Sequence, residues 1–593
     1  MTVAATVQKP RKKPSKKGRQ AKKRVLPSLM QWRLYVVLFG VFVVFASLAS
    51  RTAYIQVIKP DFLIEEAENR TIRVRHVPSY RGIIKDRNGQ HIAVSVPAQA
   101  IFADPKKIHE NEALNDKRKW QALADVLDTD LKSLLDKVSN PNSQFAYIQR
   151  QVTPAMANFV EKLDIQGLYL RDESKRYYPS GEVSAHVIGF TDVDDRGIEG
   201  IERLYNQWLS GTPDKRRIIR DAKNRQIEIL EQEKGKKAKN LTLTIDQRVQ
   251  ALAYREIKEA TIKFQAASAS VVIVDVHTGE ILALANTPSF NPNNRSTVSS
   301  YSVRNRAIAD AFEPGSVLKP LAIIAALENG SFEPNSVIDT SPGWRRLGGS
   351  RIEDHRNLGE LSISDVIKHS SNMGTSELAL SMPKEVLIDF YYNMGLMSDS
   401  GTNMVGESSG IFHERQRWSQ HEISSLSFGY NIAVTTTQLA RMYATIANGG
   451  IKRPLTIVRE MDKLEEPERV ISEEIANEVL LMMETVTDRD GTAFKARVPG
   501  YRVAGKTGTS KKAFAGTYGE EYVNIFAGIA PVSDPQIAVV VLINEPGGDF
   551  YYAGDTAATV FSKIVGSTMQ MLNVPPDAMT VDYIVERKLH ATQ

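Results

Sequence analysis

The sequence predicts an α+β protein of several domains: one N-terminal transmembrane helix, a β-rich region beyond it, and a larger domain in which a sheet is flanked by helices. Three observations carry this reading. A run of seventeen uncharged residues, "LYVVLFGVFVVFASLAS" from Leu34 to Ser50, lies between Arg33 and Arg51. Strand-like runs open and close the C-terminal half around a helical middle, which implies a sheet whose strands come from distant sequence. The 593 residues exceed one ordinary core, and the charged stretch "EQEKGKKAKN" (Glu231 to Asn240) marks a boundary between two regions.

The elements follow in order. Residues 1–33 carry eleven Lys and Arg and no acid, with Pro, Gly and Ser between them, so a disordered cytoplasmic tail is expected. The formal charge of +6 and the pI near 9.0 therefore belong to this tail, and the rest of the chain is net acidic, which argues against a nucleic-acid partner. Residues 34–55 read as a membrane span, because Arg51 can snorkel while the following residues extend the helix. A cleavable signal peptide is the rival reading, since "SLA" resembles a cleavage site, but the apolar run is too long for one. The tail charges orient the span with its N-terminus in the cytoplasm and everything after it outside.

Residues 56–235 form the first external region. It opens with alternating segments around Asn88-Gly89, a hairpin signal, and continues through a helical stretch, "WQALADVLDTDLKSLLDKV". Residues 236–578 form the second region, and 579–593 a tail. A strand-to-helix pattern runs from Leu241 to Ile257, and "SASVVIVDV" and "EILALAN" flank a turn at His277-Thr278-Gly279. Helical patterns fill the middle, three strands follow in "GYRVAGKTGTS", "YVNIFAGIAPV" and "QIAVVVLINEP", and an amphipathic helix closes the domain from about Asp555 to Leu572.

The chemistry concentrates in three short motifs. In "FEPGSVLKP" a Pro-Gly turn precedes Ser316, and the apolar run after it is helical, so Ser316 and Lys319 share one helical face. Alone, this pair would read as a helix cap and a solvated lysine. Ser370-Ser371-Asn372 follows 54 residues after Ser316, and Lys506-Thr507-Gly508-Thr509 follows on a predicted strand. The order S-x-x-K, S-x-N, K-T-G is the signature of serine β-lactamases and penicillin-binding proteins. A serine hydroxyl needs a base to become a nucleophile, and Lys319 serves if burial and a nearby positive charge, such as that of Lys506, hold it neutral. Ser370 can relay a proton, and Asn372 can hold Lys319 and a substrate amide. Lys506, Thr507, Gly508 and Thr509 suit a terminal carboxylate, and the backbone N–H groups of Ser316 and Thr509 suit an oxyanion. An extended peptide could pair along the K-T-G strand.

With "RGIIKDRNGQHIAVS", "RYYPSGEVSAHVIGFTDVDDRGIEGIE" and "YYAGDTAATVF" added to these motifs, the chain resembles the class B penicillin-binding proteins, and within them the FtsI-type septal D,D-transpeptidases of Gram-negative bacteria. The resemblance covers nearly everything from the anchor to about Ala578, departing at Val317 and Asn431, neither of which is a motif residue. It implies a serine β-lactamase/penicillin-binding-protein transpeptidase domain on a non-catalytic pedestal. It further implies a single-pass inner-membrane protein with a periplasmic catalytic domain, and the same roles for Ser316, Lys319, Ser370, Asn372 and Lys506. The implied reaction acylates Ser316 with a stem peptide ending in D-Ala-D-Ala, releases D-Ala, and transfers the acyl group to a neighbouring amine; no cofactor is implied. The implied partners are stem peptides, β-lactam antibiotics, the membrane, and division proteins including an FtsW-type glycan polymerase.

Competing readings share the motifs. A β-lactamase would need a water-activating E-x-x-L-N segment, and none follows Ser370. A penicillin sensor would need a cytoplasmic signalling domain, for which residues 1–33 are too short. The elongation-specific class B paralogue has the same chemistry, but "FEPGS" and "YYAG" favour the septal type. His355, His369, His413 and His421 form no metal-ligand spacing. Lys511 and Lys512 read as a solvated hairpin loop.

Overall fold

The computed structural model describes residues 31–58, 60–77, 79–221, 226–296, 298–459, 466–514 and 517–578. Most of the basic tail and the expected C-terminal tail, 579–593, lie outside the described residues. The chain divides into two compact units, Met1–His76 with Lys215–Glu233, and Val77–Asp214 with Lys234–Gln593.

The first unit contains the apolar segment Trp32–Val57, 26 residues long. Its helix, α1 (Gln31–Ala53), turns large apolar side chains such as Leu38, Phe42 and Phe45 outward. It is long and apolar enough to cross a bilayer. A helix at Pro60–Thr71 leads into a three-stranded sheet in which Asp214–Arg220 lies between Ile72–Val77 and Gln226–Glu233.

Among the described residues the second unit holds two five-stranded sheets and four small two-stranded ones. In the first, β1 (Ile84–Lys85) and β2 (His91–Ala103) form the hairpin that Asn88-Gly89 signals, with Gly89 at φ +84. Farther along β2, β3 (Ala146–Val152) and β4 (Leu168–Tyr177) pair antiparallel with it. Trp120, Leu123, Leu134 and Val160 pack against Ile101 and Ile148 of this sheet in a core of their own. The helical stretch expected over residues 120–138 is two helices, Lys117–Val126 and Leu131–Lys137. Between them Asp128 turns to φ +49, and the Asp130 carboxylate caps the second helix by accepting from Ser133 N at 3.1 Å.

The chain then joins its own beginning. β5 (Leu241–Thr242) pairs parallel with β1, and Asn88 Nδ2 donates to Asp246 Oδ2 at 3.0 Å. Nearby, Glu202 is fully buried between two guanidiniums, Arg81 at 2.5 Å and Arg176 at 2.7 Å.

The large sheet is assembled from both ends of the domain, as the pattern of strands implies. β6 (Ser268–Asp275) and β7 (Ile281–Thr287) form one hairpin; β10 (Ala504–Phe514), β11 (Thr517–Ala530) and β12 (Ile537–Asn544) follow over 200 residues later. The intervening strands β8 (Trp344–Leu347) and β9 (Ser350–Glu353) make a separate small hairpin. The order across the large sheet is β7-β6-β12-β11-β10, all antiparallel. Every residue of β7 is buried, as are all but the last of β6 and of β12, so these strands lack the alternation of a half-exposed sheet. Helix α2 (Gln247–Lys263) and the last helix of the domain, Ala557–Met571, pack together over the sheet, with Phe561 edge-on to Phe526 of β11.

The helical middle includes α3 (Lys319–Glu328), α4 (Ile363–Lys368), α5 (Asn372–Leu380) and α6 (Thr436–Ala447). Nine of the ten residues of α3 and all twelve of α6 are buried. The motif serine and lysine are thus attached to one of the least mobile parts of the core.

Candidate active site

Ser316 lies in a single 3-10 turn, Gly315–Leu318, directly before α3, and Lys319 is the first residue of that helix. In a 3-10 turn residues i and i+3 eclipse, so the two side chains emerge on one side. Gly315 has φ +58, which a side chain resists, and its N–H donates to Gly429 O at 3.1 Å. Gly429 must also be glycine, because a Cβ there would fall 2.1 Å from Gly315 O. The Tyr443 hydroxyl of α6 donates to Val317 O at 3.0 Å.

The second motif occupies the turn between α4 and α5. Ser370 adopts φ +59, a left-handed conformation unusual for serine, and this turns its carbonyl and hydroxyl toward Lys319. Lys319 Nζ is fully buried and donates to Ser370 O, to Ser370 Oγ at 3.2 Å and to Asn372 Oδ1 at 2.8 Å. Three donors thus meet three acceptors. Among the described residues the Ser316 hydroxyl forms no hydrogen bond; catalytic hydrogen bonds commonly tighten only when substrate is bound.

The third motif lies on β10, the edge strand of the sheet, as expected for pairing with an extended peptide. β10 approaches the serine turn closely: a Cβ at Gly508 would lie 2.7 Å from Pro314 O, and Ser510 Oγ donates to Glu313 O at 2.7 Å. Lys506 is fully buried and its Nζ donates to Thr507 O at 3.1 Å. Thr507 Oγ1 donates to Thr492 Oγ1 at 3.1 Å, and Thr509 Oγ1 accepts from Ala553 N at 3.1 Å.

Two lysines in one buried site cannot both keep their charge cheaply. Burial pushes Lys319 down to about 7, with the Asp354 carboxylate opposing the shift. Burial, and then the charge of Lys319, push Lys506 well below the ordinary lysine range. Burial lowers Lys319 as expected, whereas the repulsion between the two lysines is taken up by Lys506, which corrects the expectation that a charged Lys506 would hold Lys319 neutral. A second correction concerns Lys511 and Lys512. Both lie on β10 and not in its hairpin loop, with Lys511 near Glu520 (3.9 Å) and Lys512 paired with Glu545.

The three motifs converge as the sequence implies, but several of their supports are unmarked there. Asp354 accepts from Ser371 Oγ, Asn372 N and Met373 N, and the Glu353 carbonyl accepts from Asn372 Nδ2. Thr492 and Ala553 brace β10 from two other loops. Among the described residues no group of three or more His, Cys, Asp or Glu is arranged to hold a metal ion.

Comparison with known proteins matches this architecture. The family description "Penicillin-binding Protein dimerisation domain" fits residues 76–243, and "Penicillin binding protein transpeptidase domain" fits residues 269–566. The chain is 44% identical to the peptidoglycan D,D-transpeptidase FtsI of Escherichia coli strain K12, over 98% of this chain and 97% of that one. A crystal structure of a peptidoglycan synthetase from Bifidobacterium adolescentis aligns with 86% of this chain and 98% of its own, at TM-score 0.68 and 26% identity. The transpeptidase domain of penicillin-binding protein 3 from Burkholderia pseudomallei covers 57% of this chain and 98% of its own, at TM-score 0.52 and 37% identity. Since both family regions occur in order and the likeness to FtsI is nearly end to end, the chain belongs to the class B penicillin-binding proteins.

Proposed function

We propose that this protein is a peptidoglycan D,D-transpeptidase that cross-links stem peptides through an acyl-enzyme at Ser316. The observation that carries the reading is the buried Lys319, held by Ser370 and Asn372 one 3-10 turn from Ser316, beside an open sheet edge that bears the K-T-G motif. A stem peptide ending in D-Ala-D-Ala pairs along β10. Lys319, neutral above about pH 7, accepts the proton of the Ser316 hydroxyl as its oxygen attacks the penultimate carbonyl. The backbone N–H groups of Ser316 and Thr509 receive the oxyanion. Ser370 passes the proton to the departing D-Ala amine, and the amine of a second stem peptide later takes the acyl group and restores Ser316.

Lys506, with Thr507, Gly508 and Thr509, receives the terminal carboxylate. In the free site burial holds Lys506 toward its neutral form; an arriving carboxylate supplies the counter-charge that restores its proton. A β-lactam mimics the donor, acylates Ser316 and stays. The likeness to FtsI supports a division role with an FtsW-type polymerase as partner, at the inner membrane. In this reading 1–33 is cytoplasmic, 34–55 spans the membrane, 56–235 is the pedestal and 236–578 is the periplasmic catalytic domain.

The test supplies the full-length protein in detergent with a donor peptide ending in D-Ala-D-Ala and an amine acceptor. Release of D-Ala together with a cross-linked product, both lost in Ser316→Ala, supports the reading. Release without any product at saturating acceptor would make this a hydrolase.

A further inference from the structure

We propose that Asp354 is a positioning residue of the transfer reaction, which holds the S-x-N turn against Lys319 from outside the three motifs. The proposal rests on the reading of Ser316 as nucleophile and Lys319 as base. Asp354 directly follows β9, and its own N–H donates to Gly343 O at 2.9 Å, which fixes the foot of the β8-β9 hairpin. Its carboxylate takes three donors from the start of α5: Ser371 Oγ at 2.6 Å, Asn372 N at 2.5 Å and Met373 N at 3.1 Å. A carboxylate at the first turn of a helix is favoured by its exposed N–H groups.

The consequence falls on Asn372. Its side-chain amide has two ends, and only one of them can serve Lys319. The Glu353 carbonyl accepts from Nδ2 at 3.0 Å, so Nδ2 is taken and Oδ1 faces Lys319 Nζ at 2.8 Å. Two consecutive residues of the hairpin thus grip Asn372 at its backbone and its side chain, and the grip decides which atom the lysine meets. The hairpin reaches the protein through a small cluster of its own, Leu347 and Ile352 against Met373 and Phe428, apart from the main core.

Charge adds a second role. The charge acting on Lys319 is that of Asp354 from the hairpin, which favours its ammonium form; Lys506 from β10 shares the buried site, where the repulsion between the two lysines lowers Lys506. Ser370 and Asn372 from the α4-α5 turn are neutral, and Glu353 presents only its backbone carbonyl. Removing the Asp354 charge leaves burial unopposed, so Lys319 would lose its proton at lower pH.

The experiment measures single-turnover acylation of the full-length protein in detergent by a fluorescent penicillin, across pH, for wild type, Asp354→Asn, Asp354→Glu and Ser371→Ala. In Asp354→Asn the acid limb of the rate profile should move down by roughly half a pH unit or more, and the plateau rate should fall about ten-fold. Asp354→Glu should restore the limb and part of the plateau. Ser371→Ala keeps the charge but loses one tether, so its plateau should fall while its limb stays. An Asp354→Asn profile with an unmoved limb overturns the proposal, whatever its plateau. If that variant does not fold, a wild-type plateau in Ser371→Ala overturns it instead, and a lowered plateau with an unmoved limb supports it. Absence of any adduct in the wild type would overturn the reading of Ser316 and this inference together.

Discussion

Lys319 shows how far a buried lysine can oppose stability. The fully buried amine titrates near 7 in the folded protein and near 10.5 when exposed, so between these values the unfolded chain binds the extra proton. Folding stability from this group therefore rises with pH across that window, and the full penalty is present below about pH 7. Lys319→Met, of similar length and no charge, should raise stability at neutral pH by on the order of a few kcal/mol, and the gain should shrink in alkali. The same variant should acylate about 100-fold or more slowly for want of a proton acceptor. Thermal melts at neutral and alkaline pH, paired with acylation rates, check both. In the wild type the acylation rate should climb as pH rises through about 7, where Lys319 becomes neutral.

At the scale of elements, the active site depends on two glycine contacts that no larger residue allows. Gly429→Ala would place a methyl group 2.1 Å from Gly315 O and displace the turn that carries Ser316. Its acylation rate should fall by about ten-fold or more while the melting temperature drops by only a few degrees, since the core behind α3 is untouched; a penicillin time course beside a melt checks this. Some of these elements were legible in the sequence for physical reasons. A Pro-Gly turn before an apolar run marks the start of α3, and two apolar runs around a Gly turn mark β6 and β7. Others were not. Asp354 sits in "RIEDHRN" with no periodicity, and its partners are 17 to 19 residues away in sequence. The break at Asp128 hides inside a helical pattern because aspartate tolerates the left-handed conformation and then recurs as a cap at Asp130. Lys511 and Lys512 read in sequence as a loop beyond the strand, whereas β10 runs on to Phe514 and carries them within it.

For the whole molecule, the first sheet of the second unit and the catalytic sheet share a continuous backbone path through β1 and β5. Glu202 is the electrostatic anchor beside that junction. Arg81 also donates to Glu202 O at 2.7 Å and to Asn206 Oδ1 at 2.9 Å, so its guanidinium has no route to solvent. Glu202→Ala would leave two buried cations with only the partly buried Asp195 as a nearby carboxylate and should cost about 3 kcal/mol in a denaturant titration. Glu202→Gln, which keeps the acceptor oxygen, should cost less. A two-domain architecture was legible from length, but the interleaving was not. β5 is only two residues long, and Asp246 reaches Asn88 across 158 positions.

The central claim, that Ser316 is a nucleophile activated by Lys319, is tested most directly by intact-protein mass spectrometry of the full-length chain with benzylpenicillin, followed over hours beside Ser316→Ala. A stable one-to-one adduct, absent from the variant, is the predicted result. An adduct that survives in Ser316→Ala, or a folded wild-type protein that forms none, would contradict it.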